Sequence, residues 1–156
     1  AGCLFETNNM PTIGIEQGKW QRVFHVKFIF ETLPDEGSYV MPDQKDTLRP
    51  VVSYTGHGEY TNKGIKAVEQ NIEKILKPLP LERQVFKALG RSEGHAQGTT
   101  VMGNDPKTSV VDKNLVHHKY RNVVVLGSGV FPTCPPANPS LTISALSRHA
   151  AQSLYS

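Results

Sequence analysis

Residues 122–127, Asn-Val-Val-Val-Leu-Gly, are apolar without alternation and stop at a glycine. A strand apolar on both faces is one covered on both faces, which is the habit of parallel sheets. A parallel strand needs parallel neighbours, and the remaining residues offer no second run of this kind. The segment therefore predicts a strand that completes a sheet whose other strands lie upstream, in residues absent here. The chain also lacks a Met at position 1, which fits a fragment or a processed piece. After the run comes SGVFPTCPPANP, a loop with four prolines. Residues 140–155 then read as a closing helix, with Pro139 in its first turn and Asn138 at or near its cap.

The first half of the chain has a different pattern. Residues 20–31 alternate, with Phe24, Val26, Phe28 and Phe30 on one face and Val23, His25, Lys27 and Ile29 on the other. Period 2 with aromatic and β-branched residues predicts a strand with one face partly wet. A turn at LPDEG and short strands at 38–41 and 50–55 follow, as in an antiparallel sheet. Residues 59–77 switch to a helical period. Ile65, Val68, Ile72 and Ile75 or Leu76 fall on one stripe, Thr61 or Asn62 could cap it, and Pro78 stops it. Residues 78–94 read as irregular and 95–122 as a loop region, with at most short strands near 99–102 and 109–111.

The expected fold class is α+β: a mostly antiparallel sheet with helices, plus a terminal strand–loop–helix. The division falls at 1–121 and 122–156. At 156 residues, 38% hydrophobic and 20% charged, the chain can bury a core and is neither disordered nor rich in apolar spans. The start has no basic segment before an apolar run, so it does not read as a signal peptide. The net charge of +3 is small and scattered. Its densest stretch, around His117, His118, Lys119 and Arg121, reads as a solvated turn, so no nucleic-acid partner is expected. Cys3 and Cys134 lack the spacing of a zinc site, and no metal is expected. A disulfide between them stays open.

The Gly127-Ser128-Gly129 turn after a strand invites a dinucleotide-binding interpretation. The fingerprint G-x-G-x-x-G needs a third glycine where this chain has Pro132, and a βαβ unit around it. The glycines instead suit close backbone approach to something flat or bulky. Two segments are more specific. One is His95-Ala-Gln-Gly98-Thr99-Thr-Val-Met102-Gly103, followed by Ser109-Val110-Val111-Asp112. The other runs from Asn122 through Ser128-Gly-Val-Phe131-Pro132-Thr133 to Ala137-Asn138-Pro139-Ser140 and the last helix.

In order, spacing and helix context these segments resemble the closing part of the glucose–methanol–choline oxidoreductases, over about 60 residues. The preceding stretch is more loosely similar to that family's substrate domain, including Asp46 to Tyr54 with its D-x-x-R-P-x-V-x-Y pattern. The fructose and gluconate dehydrogenase branch looks nearest. The resemblance implies a substrate-binding domain at 1–121 carrying the catalytic His loop. Residues 122–156 would be the terminal strand and helix of an FAD-binding domain whose remainder is absent.

It further implies FAD as cofactor and oxidation of CH–OH groups of sugars, polyols or alcohols by hydride transfer to flavin. His95 would be the base that takes the hydroxyl proton, and Asn138 the second member of the catalytic pair. Gly127, Ser128, Gly129 and Val130 would lie along the flavin. Asn138, Pro139 and Ser140 would open the helix whose end faces its pyrimidine side. Many members carry Asp where this chain has Gly127, so a contact supplied by that carboxylate would be missing or replaced.

The chemistry agrees with these residue types. Imidazole exchanges protons near neutral pH, an Asn amide can bond a developing alkoxide, and a helix N-terminus favours negative charge. Partners implied are the substrate, the missing N-terminal FAD-binding domain, and an electron-transfer subunit or quinone. The compartment is left open, with the resemblance favouring a periplasmic or membrane-associated setting. The alternatives are a hydroxynitrile lyase of the same family, which holds FAD without redox turnover, and a non-catalytic module. His25, His57, His117, His118 and His149 read as structural or surface residues, and Cys134 as a packing residue.

Overall fold

In the computed structural model, residues 1–7, 12–16, 19–86, 89–90, 92 and 94–155 are described, with 12–16 and 19–22 as backbone alone. The fold is α+β. Among the described residues, three two-stranded antiparallel ladders, two α-helices and a short 3₁₀ turn make up the regular elements. No described helix is long and apolar enough to cross a membrane.

The N-terminal strands are β1 (Cys3–Thr7), β2 (Thr12–Glu16), β3 (Lys19–Val23) and β4 (Val26–Phe30). β2 pairs with β3, and β1 with β4, so the four are nested as one long hairpin. Thr7 is paired with Val26 and Thr12 with Val23. Four sequence positions separate the two ladders on one side and two on the other. That mismatch is why the alternating run at 20–31 is two strands rather than the single one expected. Phe24 and His25 fall in the gap, and Phe24 is exposed. On the β1–β4 ladder the Phe5 and Phe28 rings meet edge-on at 5.2 Å, and Lys27 pairs with Glu6 across the strands. β1 and β2 are too short, at five residues each, to declare a period in the sequence.

β5 (Tyr39–Pro42) and β6 (Pro50–Ser53) form a second hairpin, close to the expected bounds. Its apolar residues Val40 and Val52 are exposed.

α1 (Glu59–Leu76) starts two residues before the expected caps. Gly58 stands at the cap, and the two polar residues bond elsewhere. Thr61 Oγ1 donates to the Glu31 carbonyl at 2.9 Å, and Asn62 Nδ2 to the His57 carbonyl at 2.8 Å. The Thr61 bond ties the helix to the end of β4 in a buried spot. Ile65 and Leu76 are the buried stripe residues, while Ile75 is exposed. Gly64 allows the close approach: a Cβ there would lie 2.8 Å from the Ala1 side chain and 3.2 Å from the Phe30 ring.

The second half packs without long strands. Its core is Val111, Leu115, Val130, Phe131 and Ala150, with Met102, Val110, Val124, Val125, Ile143 and Leu146 around it. α2 (Ser140–Tyr155) supplies Ile143, Leu146 and Ala150, spaced three and four apart on one stripe. One pair of backbone hydrogen bonds, between Thr32 and Cys134, links this half to the end of β4.

The strand expected at 122–127 is not formed. The His117 amide donates to the Val123 carbonyl and the Val125 amide to the Leu115 carbonyl, an isolated antiparallel bridge centred on Val116 and Val124. An apolar run cannot extend into a parallel ladder without parallel neighbours. It pairs with the nearby loop instead, leaving Val123 and Leu126 exposed. The short strands expected near 99–102 and 109–111 are likewise reduced to single bridges, such as Met102 with Val111.

Candidate functional site

The site is built on how residues 96–102 lie against 127–131. The amides of Gly98, Thr100 and Met102 donate to the carbonyls of Ser128, Gly129 and Val130, at 3.3, 2.8 and 2.8 Å. Ser128 Oγ donates to the Ala96 carbonyl at 2.7 Å. The loop that carries His95 is thereby fastened to the Gly-Ser-Gly-Val turn. Val130 and Phe131 are buried beneath it. The two segments singled out in the sequence meet through residue pairs 28 to 32 positions apart.

Gly127 is the residue that lets the turn form. Its backbone sits at φ +108° and ψ −179°, a region essentially reserved for glycine. A Cβ at Gly127 would meet nothing within 4 Å. A bare, open stretch of backbone therefore precedes the short 3₁₀ turn Ser128–Val130. Such a surface can lie flat against a planar group.

His95 is half-buried. Neither its ring nor the Asn138 amide makes a side-chain hydrogen bond among the described residues. Asn138 is exposed and lies outside α2. The helix is entered instead through Pro139, which is buried and whose carbonyl accepts from the Ile143 amide at 2.9 Å. The expected cap at Asn138 is therefore shifted by one residue, and its amide is left unengaged. Ser140 begins the helix and is exposed.

Behind these loops lies a second set of contacts; Ser109 and Asp112 stand out in the sequence, but their partners do not. Asp112 Oδ1 accepts the amides of Asn114 at 2.9 Å and Val116 at 3.1 Å, and Oδ2 pairs with Arg121 at 2.9 Å. Burial pushes its carboxyl pKa up. The Arg121 guanidinium and the two amides outweigh that and hold it below the ordinary range. The turn so fixed keeps Leu115, fully buried, at φ +62°.

Ser109 Oγ donates to the Asp105 carbonyl at 2.6 Å, so a proton on His118 Nε2 is what bridges Ser109 Oγ and the Gly103 carbonyl. His117 Nδ1 accepts the amides of Lys119 and Tyr120. His57 bonds Tyr54 and the Gly90 carbonyl. These three histidines fasten loops.

The cysteines cannot join. Adjacent residues of an extended chain aim their backbone groups at opposite edges. The Glu31 amide bonds Gly2 and the Thr32 amide bonds Cys134, so β1 and Cys134 flank this chain from opposite sides. Two strand spacings put them about 10 Å apart, beyond the reach of a disulfide. Both are free thiols. Burial, and for Cys134 also Glu31, pushes their pKa values up.

The profile of the GMC oxidoreductases matches residues 40–147, and the chain belongs to this family of FAD-dependent oxidoreductases, as part of its C-terminal region. It is 32% identical over 129 residues to the fructose dehydrogenase large subunit of Gluconobacter japonicus, covering 80% of this chain. It is 35% identical over 78 residues, half of the chain, to pyranose 2-oxidase of Tricholoma matsutake. The chain spans 24% and 14% of those relatives' own lengths.

Proposed function

We propose that this chain is the C-terminal catalytic portion of an FAD-dependent oxidoreductase that oxidises CH–OH groups of sugars, polyols or alcohols. The observation that carries it is the docking of the His95 loop on the Ser128–Val130 turn. It supports a single site made from both motif-bearing segments of the sequence, one bearing a base and the other a bare backbone surface. The relatives named for fructose and pyranose support the sugar class.

The residues present fit FAD. The open backbone at Gly127 would lie against it, with Ser128, Gly129 and Val130 alongside and Asn138, Pro139 and Ser140 at the adjoining helix start. When bound, FAD is the two-electron acceptor. His95 takes the hydroxyl proton on an imidazole nitrogen, and neither nitrogen is engaged by another residue described. The Asn138 amide donates to the same oxygen as negative charge grows on it. The start of α2 adds partial positive charge nearby.

In this proposal residues 1–121 belong to the substrate domain. Residues 122–156 close an FAD domain whose sheet would pair the 122–127 run into a strand. The exposure of Val123, Leu126 and Leu141, the last at 83%, supports such a cover. The chain alone would then be inactive. An electron-transfer subunit or quinone would receive the electrons, in a periplasmic or membrane-associated setting.

The test is His95→Ala in the full-length flavoprotein. Anaerobic flavin reduction by a sugar substrate should slow about 100-fold or more, with FAD retained. Reduction at the wild-type rate would remove His95 from the mechanism.

A further inference from the structure

Gln97 stands two residues after His95, between Ala96, whose carbonyl accepts from Ser128 Oγ, and Gly98, whose amide donates to the Ser128 carbonyl. Both flanking residues are thus fastened to the turn that follows Gly127, which sets Gln97 beside that turn and next to the His95 segment. The Gln97 amide has both its oxygen and its nitrogen buried, and neither has a hydrogen-bond partner. Among the described residues it is the only buried side chain left in this state. An amide offers one acceptor oxygen and two donor hydrogens, and burying them unpaired is unfavourable. A group so placed calls for a partner that the chain itself does not supply.

We propose that Gln97 is a specificity residue of this site: its amide recognises a hydroxyl next to the one His95 deprotonates, selecting polyhydroxylated substrates over simple alcohols. The proposal rests on the function proposed above. The chemistry of the partner follows from the amide. A hydroxyl both donates and accepts, so it can meet Oε1 or Nε2. Its position follows from the neighbouring His95, which fixes where the reacting hydroxyl lies. Because the buried amide makes no hydrogen bond, turning about its own side-chain bonds toward an arriving hydroxyl breaks none. A simple alcohol brings no second hydroxyl and leaves the amide unpaired.

The experiment uses the full-length flavoprotein with Gln97→Leu, and Gln97→Met should the first fail to fold. The probes are a hexose that the wild type oxidises and the deoxyhexose lacking the hydroxyl beside the oxidised carbon. Calorimetric Kd values and kcat/KM are measured for both, together with FAD content and the visible flavin spectrum. The expected result is a ten- to hundredfold loss of affinity and kcat/KM for the hexose, no more than twofold change for the deoxyhexose, and an unaltered flavin. Equal losses on both sugars, a shifted flavin spectrum or lost FAD would assign the amide to the cofactor or the fold and overturn the proposal. So would no change on either sugar. Failure of the underlying function is separate: it shows as wild-type flavin reduction in His95→Ala, whatever Gln97 variants do.

Discussion

Asp112→Ala tests the scaffold behind the site. Asp112 Oδ1 holds the amides of Asn114 and Val116, and Oδ2 holds Arg121. The turn keeps Leu115 at φ +62°, a left-handed conformation that costs a non-glycine residue about 1–2 kcal/mol, while its side chain fills the core. The Arg121 partner is 61% exposed, so that pair contributes under about 1 kcal/mol. The two amide bonds to a charged acceptor carry more, and the loss leaves the Val116 amide unpaired in a buried stretch. Asp112→Ala should therefore cost about 2–4 kcal/mol. Asp112→Asn keeps the Oδ1 acceptor and loses the ion pair, for about 1 kcal/mol or less.

The pH dependence has a definite sign. The folded carboxyl pKa lies below the unfolded one, so its stabilisation is complete above the unfolded value, near 4, and fades as pH falls through the folded one. The gap between wild type and Asp112→Ala should be constant from pH 6 to 8 and shrink below about pH 4. Urea unfolding followed by circular dichroism at pH 7, 5 and 3 measures it. A gap under about 0.5 kcal/mol at pH 7, or the same gap at pH 3, would refute the argument.

Gly127→Ala has room for its methyl group, so its cost is that of the backbone alone, about 1–3 kcal/mol, read from a thermal melt; a neutral result would mean the turn relaxes. Thr61→Val keeps the shape but loses the buried bond to the Glu31 carbonyl, and should lose about 1 kcal/mol or slightly more in the same melt. Val130→Ala empties a fully buried position under the site and should cost about 2 kcal/mol by urea titration. Oxidation of the folded chain should leave two thiols, each slow toward a disulfide reagent at pH 7, and non-reducing mass spectrometry would expose any intramolecular bridge.

What could be read from the sequence divides along physical lines. α1, α2 and the β5–β6 hairpin carry their own period and turn residues, and each lies within about two residues of its expected bounds. Helix ends were less legible. Thr61 and Asn62 are good capping residues by type, yet tertiary partners, the Glu31 and His57 carbonyls, claim their side chains. The break at Phe24–His25 depends on a register mismatch with β1 and β2, which no local pattern on 20–31 records. The 122–127 run shows the opposite failure. Its composition specifies a two-sided environment, but a strand is a property of its neighbours. The chemistry-bearing segments were found through resemblance and spacing. Their meeting rests on backbone hydrogen bonds at Gly98, Thr100 and Met102, to which side-chain identity is blind. The orphaned amide of Gln97 likewise exists only once the loop has folded.

The Thr32–Cys134 bridge closes a loop of 102 residues with two hydrogen bonds. Closing so long a loop costs about 4 kcal/mol in chain entropy, while two such bonds return about 2. The bridge cannot form early or stand alone, so it is a late clasp between two units that acquire their order separately. It should also be the first contact to open. The amide of Cys134 would then exchange with solvent deuterium well before that of Leu115 in the core, through openings that part the hairpin half from the half bearing His95 while leaving each intact.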